Sequence, residues 1–343
     1  MYGGHNLLAD LKLQENSLHF HNFVRMSSQD FEFLLNAIGP KINKMDTAMR
    51  KAVTVTERLA ITLRFLATGD PYTSMQYLFK VSKQLISTIV PEVCQALIEV
   101  LKKNIKSSPI HSGSDYFNYK SAFSIVLFAV VDAHYNFIYA DIGCQGRISD
   151  GGVFKNCKLS NKLVTNRLGL PIESNLPEKS KKIPYVFLGD EAFALGENLM
   201  KPFSGTHRKE SAERIFNYRL SRARRVVENV FGIFSAVFRV LRKPMLLEPE
   251  KAELIVIETV ICLHNFLRRS NTSRTIYTPP TSFDSEQNGV LVGGNWRQDK
   301  QMTSLIPIRN VPRRSTLNAK EIRDGFKEYF ITNGCLDWQD ESA

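Results

Sequence analysis

Apolar residues recur at helical spacing from Ser27 to about Lys103. Phe31, Leu34, Leu35 and Ile38 form one stripe, and Leu59, Ile61, Leu63, Phe65 and Leu66 form the next. Gly69-Asp70-Pro71 supplies turn chemistry that ends the second helix. The stretch TSMQYLFKVSKQLISTIVPEVCQALIEVL then predicts a short helix, a turn near Val81 and Ser82, and a longer helix capped by Ser82. This is the outline of a helix-turn-helix, an outline that plain helical bundles share.

After a polar linker, Ser107 to Asp115, the period changes from helical to alternating. SAFSIVLFAVVD (121–132) and FIYADIG (137–143), joined by AHYN, predict a β-hairpin. IPYVFLGD predicts a third strand, preceded by a crossover helix carrying Leu159, Leu163 and Leu168. Residues 211–243 predict a long helix ended by Pro244, and 248–269 a second, largely buried one. Thr272 to Pro312, rich in Ser, Thr, Pro and Gly, predicts a surface loop, and STLNAKEIRDGFKEYFITNG a closing amphipathic helix. The fold class is α/β. A helical, helix-turn-helix-like region spans 1–106, a mixed domain 112–270, a loop-rich segment 271–314, and a C-terminal helix and tail 315–343.

The 343 residues suffice for a sizeable core, and 43% hydrophobic with 23% charged residues is ordinary globular composition. Lys and Arg number 45 against 34 acids, a net charge of +11 that suits a polyanionic partner such as nucleic acid. The five cysteines (Cys94, Cys144, Cys157, Cys262, Cys335) form no CxxC pair, which argues against a zinc knuckle or a disulfide framework. No uninterrupted apolar run reaches the roughly 18 residues of a membrane helix, and MYGGHNLLADLKL lacks a signal-peptide pattern. A soluble intracellular protein is the expectation.

Four acids stand out. Asp190 closes the third strand pattern, where α/β sheets present ligand-binding groups, and it equally suits a cap for a helix starting at Glu191 or Ala192. Glu228 has Arg224 at i−4 and Arg225 at i−3, the spacing of a salt-bridged surface helix. Its neighbours Val226, Val227, Val230 and Phe231 place it instead at the edge of the core. Asp132 in VVDAHYNF suits a hairpin turn, and Asp150 before Gly151-Gly152 a turn or cap.

Together VVDAHYNFIYADIGCQGRISDGGVF, YVFLGDEAFAL with MKPF after it, FNYRLSRARRVVENVFGIFSAVFRVL and LHNFLRR resemble the Harbinger-type (PIF/Harbinger) transposase family. That family includes host nuclease-like proteins derived from such transposases. The resemblance runs from about Ser112 to Arg269. It implies a ribonuclease-H-like DDE domain, a mixed sheet flanked by helices, in which clustered carboxylates hold Mg²⁺ or Mn²⁺ for phosphodiester cleavage. On that carry-over Asp190 and Glu228 are catalytic metal ligands and Asp150 a further ligand, with Asp132 as a substitute first acid. The family's first-acid strand, reading approximately GAIDGKH, has no counterpart here. LIEVLKKNIKSSPIHSGSDYFNYK passes directly to the stretch that normally follows it, so the first strand is missing and catalysis is expected to be impaired. Lys80, Lys83, Arg222, Arg224 and Arg225 would supply phosphate contacts to DNA whether or not cleavage survives. A catalytically inactive DNA-binding or chromatin-associated protein is the alternative, and a protein scaffold a third. The resemblance also implies a Myb-like DNA-binding partner and a nuclear location.

Overall fold

Side-chain caps set the helix starts. In the computed structural model, which describes residues 10, 18–46, 48, 51–102, 106–107, 125–145, 154–155, 157–243, 245, 247, 249–252, 257–287, 290–298 and 315–339, α1 (Leu18–Val24) leads into α2 (Ser28–Ile42). The Ser27 hydroxyl accepts from Asp30 N at 3.2 Å. Thr54 and Glu57 form a reciprocal capping box at the start of α3 (Val55–Thr68), which Gly69 ends in the left-handed conformation at φ 62°. α4 (Tyr72–Phe79) follows, and Ser82 caps α5 (Lys83–Leu101) as the sequence predicts. By length and composition α5 could cross a membrane. Here it is a core helix, with Ile86, Ile89, Val90, Val93 and Leu97 buried among α2, α3 and α4.

The predicted hairpin is present. β2 (Ile125–Val131) runs antiparallel to β3 (Phe137–Gln145), and β1 (Lys106–Ser107) pairs parallel with the other edge of β3, giving the order β1-β3-β2. After α6 (Lys158–Val164), β4 (Ser174–Asn175) pairs with β5 (Lys182–Ile183). β6 (Phe187–Leu188) pairs parallel with β7 (Leu199–Met200). The IPYVFLGD strand is thus shorter than its pattern: Pro184 cannot donate to a ladder, and Tyr185 and Leu188 are 48% and 40% exposed.

α7 (Ala212–Val237) ends before the predicted limit, and its C-terminus passes into the 3-10 turn Arg239–Arg242. α8 (Pro249–Ala252), α9 (Thr259–Arg269) and α10 (Arg274–Tyr277) follow. The stretch expected to be a loop carries β8 (Ser285–Gln287) antiparallel to β9 (Val290–Val292). α11 (Leu317–Ile331) packs on α7 over Met200, Phe216 and Leu220. One core runs from Leu34 and Leu97 in the helical region to Phe137, Phe234 and Leu263, so the two predicted regions share their interior.

Two asparagines stitch helices to extended chain by the same device. Asn265 accepts from Phe137 N at 2.9 Å and donates to Phe137 O at 2.8 Å, acting as a neighbouring strand would at the start of β3. Asn217 does the same to Phe203, at 2.7 and 2.9 Å. Beside Asn265, His264 bonds Tyr135 O (2.8 Å) and the Tyr277 hydroxyl (2.6 Å), and Arg268 donates to His134 O (2.9 Å). The LHNFLRR motif therefore holds the hairpin turn through main-chain groups. Burial, with the Arg268 charge, lowers the His264 pKa from its usual 6.5 to about 4, so the ring is neutral at physiological pH.

Asn265→Ala should destabilise the protein by roughly 2–4 kcal/mol, since it strands a buried N–H and a buried carbonyl at once; urea unfolding checks this. Because the folded-state pKa of His264 is depressed, the unfolded state takes the proton first as pH falls from 6.5 toward 4. Stability should drop through that window by up to about 1.4 kcal/mol per pH unit from this residue, and His264→Gln should flatten the slope measured by denaturation at stepped pH.

Candidate active site

The strand that ends in two acids makes a turn, not a helix start. Asp190 Oδ1 accepts from Ala192 N at 2.9 Å, and Phe193 packs its ring against Phe128 of β2 and against Phe154. The other carboxylate oxygen of Asp190 faces Arg224 of α7 at 3.8 Å. Glu228 lies one helical turn beyond Arg224. Asp190 thus meets α7 at Arg224, one helical turn before Glu228.

Glu228 also has a guanidinium, from a residue that sequence reasoning missed. Arg297 donates to Glu228 Oε2 at 2.9 Å and grips Asp284 through two bonds of 2.8 and 2.6 Å. The Asp284 side chain is buried. Burial alone would raise its pKa, but the bonds from Arg297 and from Gly294 N hold it below the usual carboxylate value. The hydrogen bonds to Asp284 and Glu228 in turn raise the Arg297 pKa.

Arg297 is placed by its neighbour. The Trp296 indole lies over Gly232 of α7, where an added Cβ would fall 2.1 Å from a ring carbon, and its N–H donates to Asn229 at 3.0 Å. Asn229 Oδ1 also accepts from Asp284 N, so this segment is fastened to the helix beside Glu228. GGNWR, with one of only two tryptophans in the chain, was the available signal.

The basic run on α7 is occupied as well. Arg225 donates to Glu286 at 2.7 Å, Arg222 approaches the same oxygen at 3.4 Å, and the Tyr218 hydroxyl adds a bond of 2.7 Å. Burial would raise the Glu286 pKa, but these partners hold it down. Arg222 also stacks on Trp338. Arg222, Arg224 and Arg225 are therefore partners of Glu286 and Asp190 in this conformation. Lys80 and Lys83 are exposed and, among the described residues, have no ion-pair partner. They flank the turn between α4 and α5, where Lys80 is left-handed (φ 57°), Val81 is buried and Ser82 caps the next helix.

Asp132 is spent on the hairpin turn: its carboxylate accepts from His134 N (2.9 Å), Asn136 N (2.8 Å) and the Asn136 side chain. Among the described residues it shares no partner with Asp190 or Glu228. Asp150 and residues 108–124, ahead of β2, lie outside the described residues.

Residues 100–265 match the family model described as DDE superfamily endonuclease, just under half of the chain. No curated protein and no solved structure matched. The match supports a transposase-derived DDE domain in a nuclease-like protein, a class that generally uses divalent metals. Asp190 and Glu228 have the hard oxygen donors that magnesium or manganese prefer. The number of donors falls short: among the described residues no three His, Cys, Asp or Glu side chains gather into a group that could hold a metal. No cleavage step follows from this arrangement.

Gly232→Ala should force the Trp296 ring off α7, because no rotamer removes a Cβ that close to the indole. Destabilisation of about 1–3 kcal/mol and a red-shifted tryptophan emission are the expected results of denaturation and fluorescence measurements.

Proposed function

We propose that this chain is a transposase-derived, nuclease-like protein of the Harbinger type that acts on DNA in the nucleus. Asp190 and Glu228 are its surviving metal-binding acids. The observation that carries the reading is that Asp190 faces Arg224, which lies on α7 one helical turn before Glu228. Mg²⁺ or Mn²⁺ would supply activation of water and stabilisation of the leaving oxygen. This chain's residues supply the carboxylates and the guanidiniums that hold them before a metal arrives. Asp150 is the third donor in this reading.

In this reading the lack of the family's first-acid sequence limits that activity. Among the described residues β6, which leads to Asp190, pairs with β7, while β2 belongs to the β1-β3-β2 sheet, and α7 contacts both β2 and β6. A strand between β2 and β6 would join the two sheets into the mixed sheet of a ribonuclease-H-like domain. A second reading, an inactive DNA-binding or chromatin-associated protein, is favoured by a different observation: Asp190 and Glu228 each face an arginine. A Myb-like protein is the partner class in either case.

Supercoiled plasmid with Mn²⁺ separates the readings. The nuclease reading expects weak metal-dependent nicking that Asp190→Ala and Glu228→Ala abolish while DNA affinity stays unchanged. Insertion of an Asp-bearing strand ahead of residue 112 should strengthen it. Tight DNA binding with no nicking, before or after that insertion, would overturn the nuclease reading and leave the inactive one.

A further inference from the structure

A second cluster of charge lies away from the acids, where the end of α7 meets the helix-turn-helix. Gly69, the left-handed cap of α3, would place a Cβ 2.8 Å from Val240 Cα and 3.2 Å from Arg239 O. The 3-10 turn therefore presses directly on the end of α3. This brings Arg239 to the neighbourhood of Arg25, the residue that ends α1, which Arg64 of α3 also adjoins. Arg25 sits at φ 64°, a strained backbone position for a non-glycine residue.

The charges there are not balanced. Among the described residues the carboxylate facing the cluster is Asp70, and Lys243 already holds it at 3.0 Å. Burial, followed by the charges of Arg239 and Arg64, lowers the Arg25 pKa. His21 offers no countercharge, being neutral, with its pKa lowered to about 4 by burial and by Arg25. The Nε atoms of Arg25 and Arg64, and both ring nitrogens of His21, are shielded from solvent without a hydrogen-bond partner among the described residues. Three guanidiniums held together at such a cost make a site for an anion, and guanidinium forks match phosphate oxygens.

The position selects the anion. The Arg64 guanidinium lies 4.7 Å above the Phe23 ring, and Phe23 packs 6.0 Å from Phe79, the last residue of α4. Lys80 follows directly. Phe23 and Phe79 thus link Arg64 to the turn between α4 and α5, which Lys80 and Lys83 flank. In such motifs the first helix crosses the sugar-phosphate backbone while the second enters the groove.

We propose that Arg25, Arg64 and Arg239 form a clamp for backbone phosphates of duplex DNA, fixing the duplex against α4 and α5. The clamp rests on the DNA-binding reading above and adds to it a second contact surface built from the far end of α7. Being backbone contacts, these carry no sequence preference.

The test is the salt dependence of duplex affinity, measured by fluorescence anisotropy with the full chain on two unrelated sequences. Arg239 is exposed, so Arg239→Gln removes a charge without disturbing the core. The expected result is a salt slope shallower by about one, equally on both duplexes, with Lys179→Gln, elsewhere on the surface, leaving it unchanged. A folded Arg239→Gln protein with the wild-type slope would overturn the clamp while DNA binding stands. Inorganic pyrophosphate that stabilises the wild type but not Arg239→Gln, with the DNA slope unaltered, would also overturn it, in favour of a small-anion site. Wild-type protein without salt-dependent binding would sink the DNA-binding reading itself.

Discussion

The 26-residue helix α7 is the constraint on which the rest of the structure depends. Its buried side carries Phe216, Leu220, Val230, Ile233 and Phe234 into two clusters, and this fixes which residues are left on its other faces. Asn217 then ties down Phe203, Arg222 and Arg225 hold Glu286, and Arg224 meets Asp190. Glu228 and Gly232 face the segment that ends in Arg297. The 3-10 turn at its end reaches α3. The candidate active site and the proposed phosphate clamp are thus built at two points along one rigid element, whose register is set by apolar burial.

Much of this was legible because it is local. Ser82, Thr54 and Gly69 are caps recognisable from adjacent residues, and AHYN sits between two alternating runs where a hairpin turn is the natural outcome. Asp132 went the way of hairpin aspartates, satisfying turn amides. Asp190 also made a local bond, an Asx turn in place of the expected helix cap. That turn uses only one of its oxygens, and the other faces Arg224.

What was not legible joins distant residues. Nothing near Glu228 in sequence announces Arg297, and nothing near SRARR announces Glu286, so a run that suggests free cations is satisfied from a segment whose composition suggested only loop. The paired motifs were harder still. MKPF with FNYRL, and FIYADIG with LHNFLRR, look like independent signatures. Each pair is one interaction, an asparagine bonded to both backbone groups of a phenylalanine. Residues that suggest chemistry by their polarity, His264 and Arg268 among them, act on the hairpin's backbone instead.

On the proposed function, Glu228 is a metal-binding acid that Arg297 holds until a cation displaces it. Calorimetric titration of Mn²⁺ into the wild type, Arg297→Gln, and Arg297→Gln combined with Glu228→Gln tests it most directly. Tighter Mn²⁺ binding by Arg297→Gln, and loss of that gain in the double variant, is the predicted result. Equal affinity in the wild type and Arg297→Gln, with the fold intact, would contradict it and leave the Glu228 ion pair as a purely structural tie between α7 and the Trp296 segment.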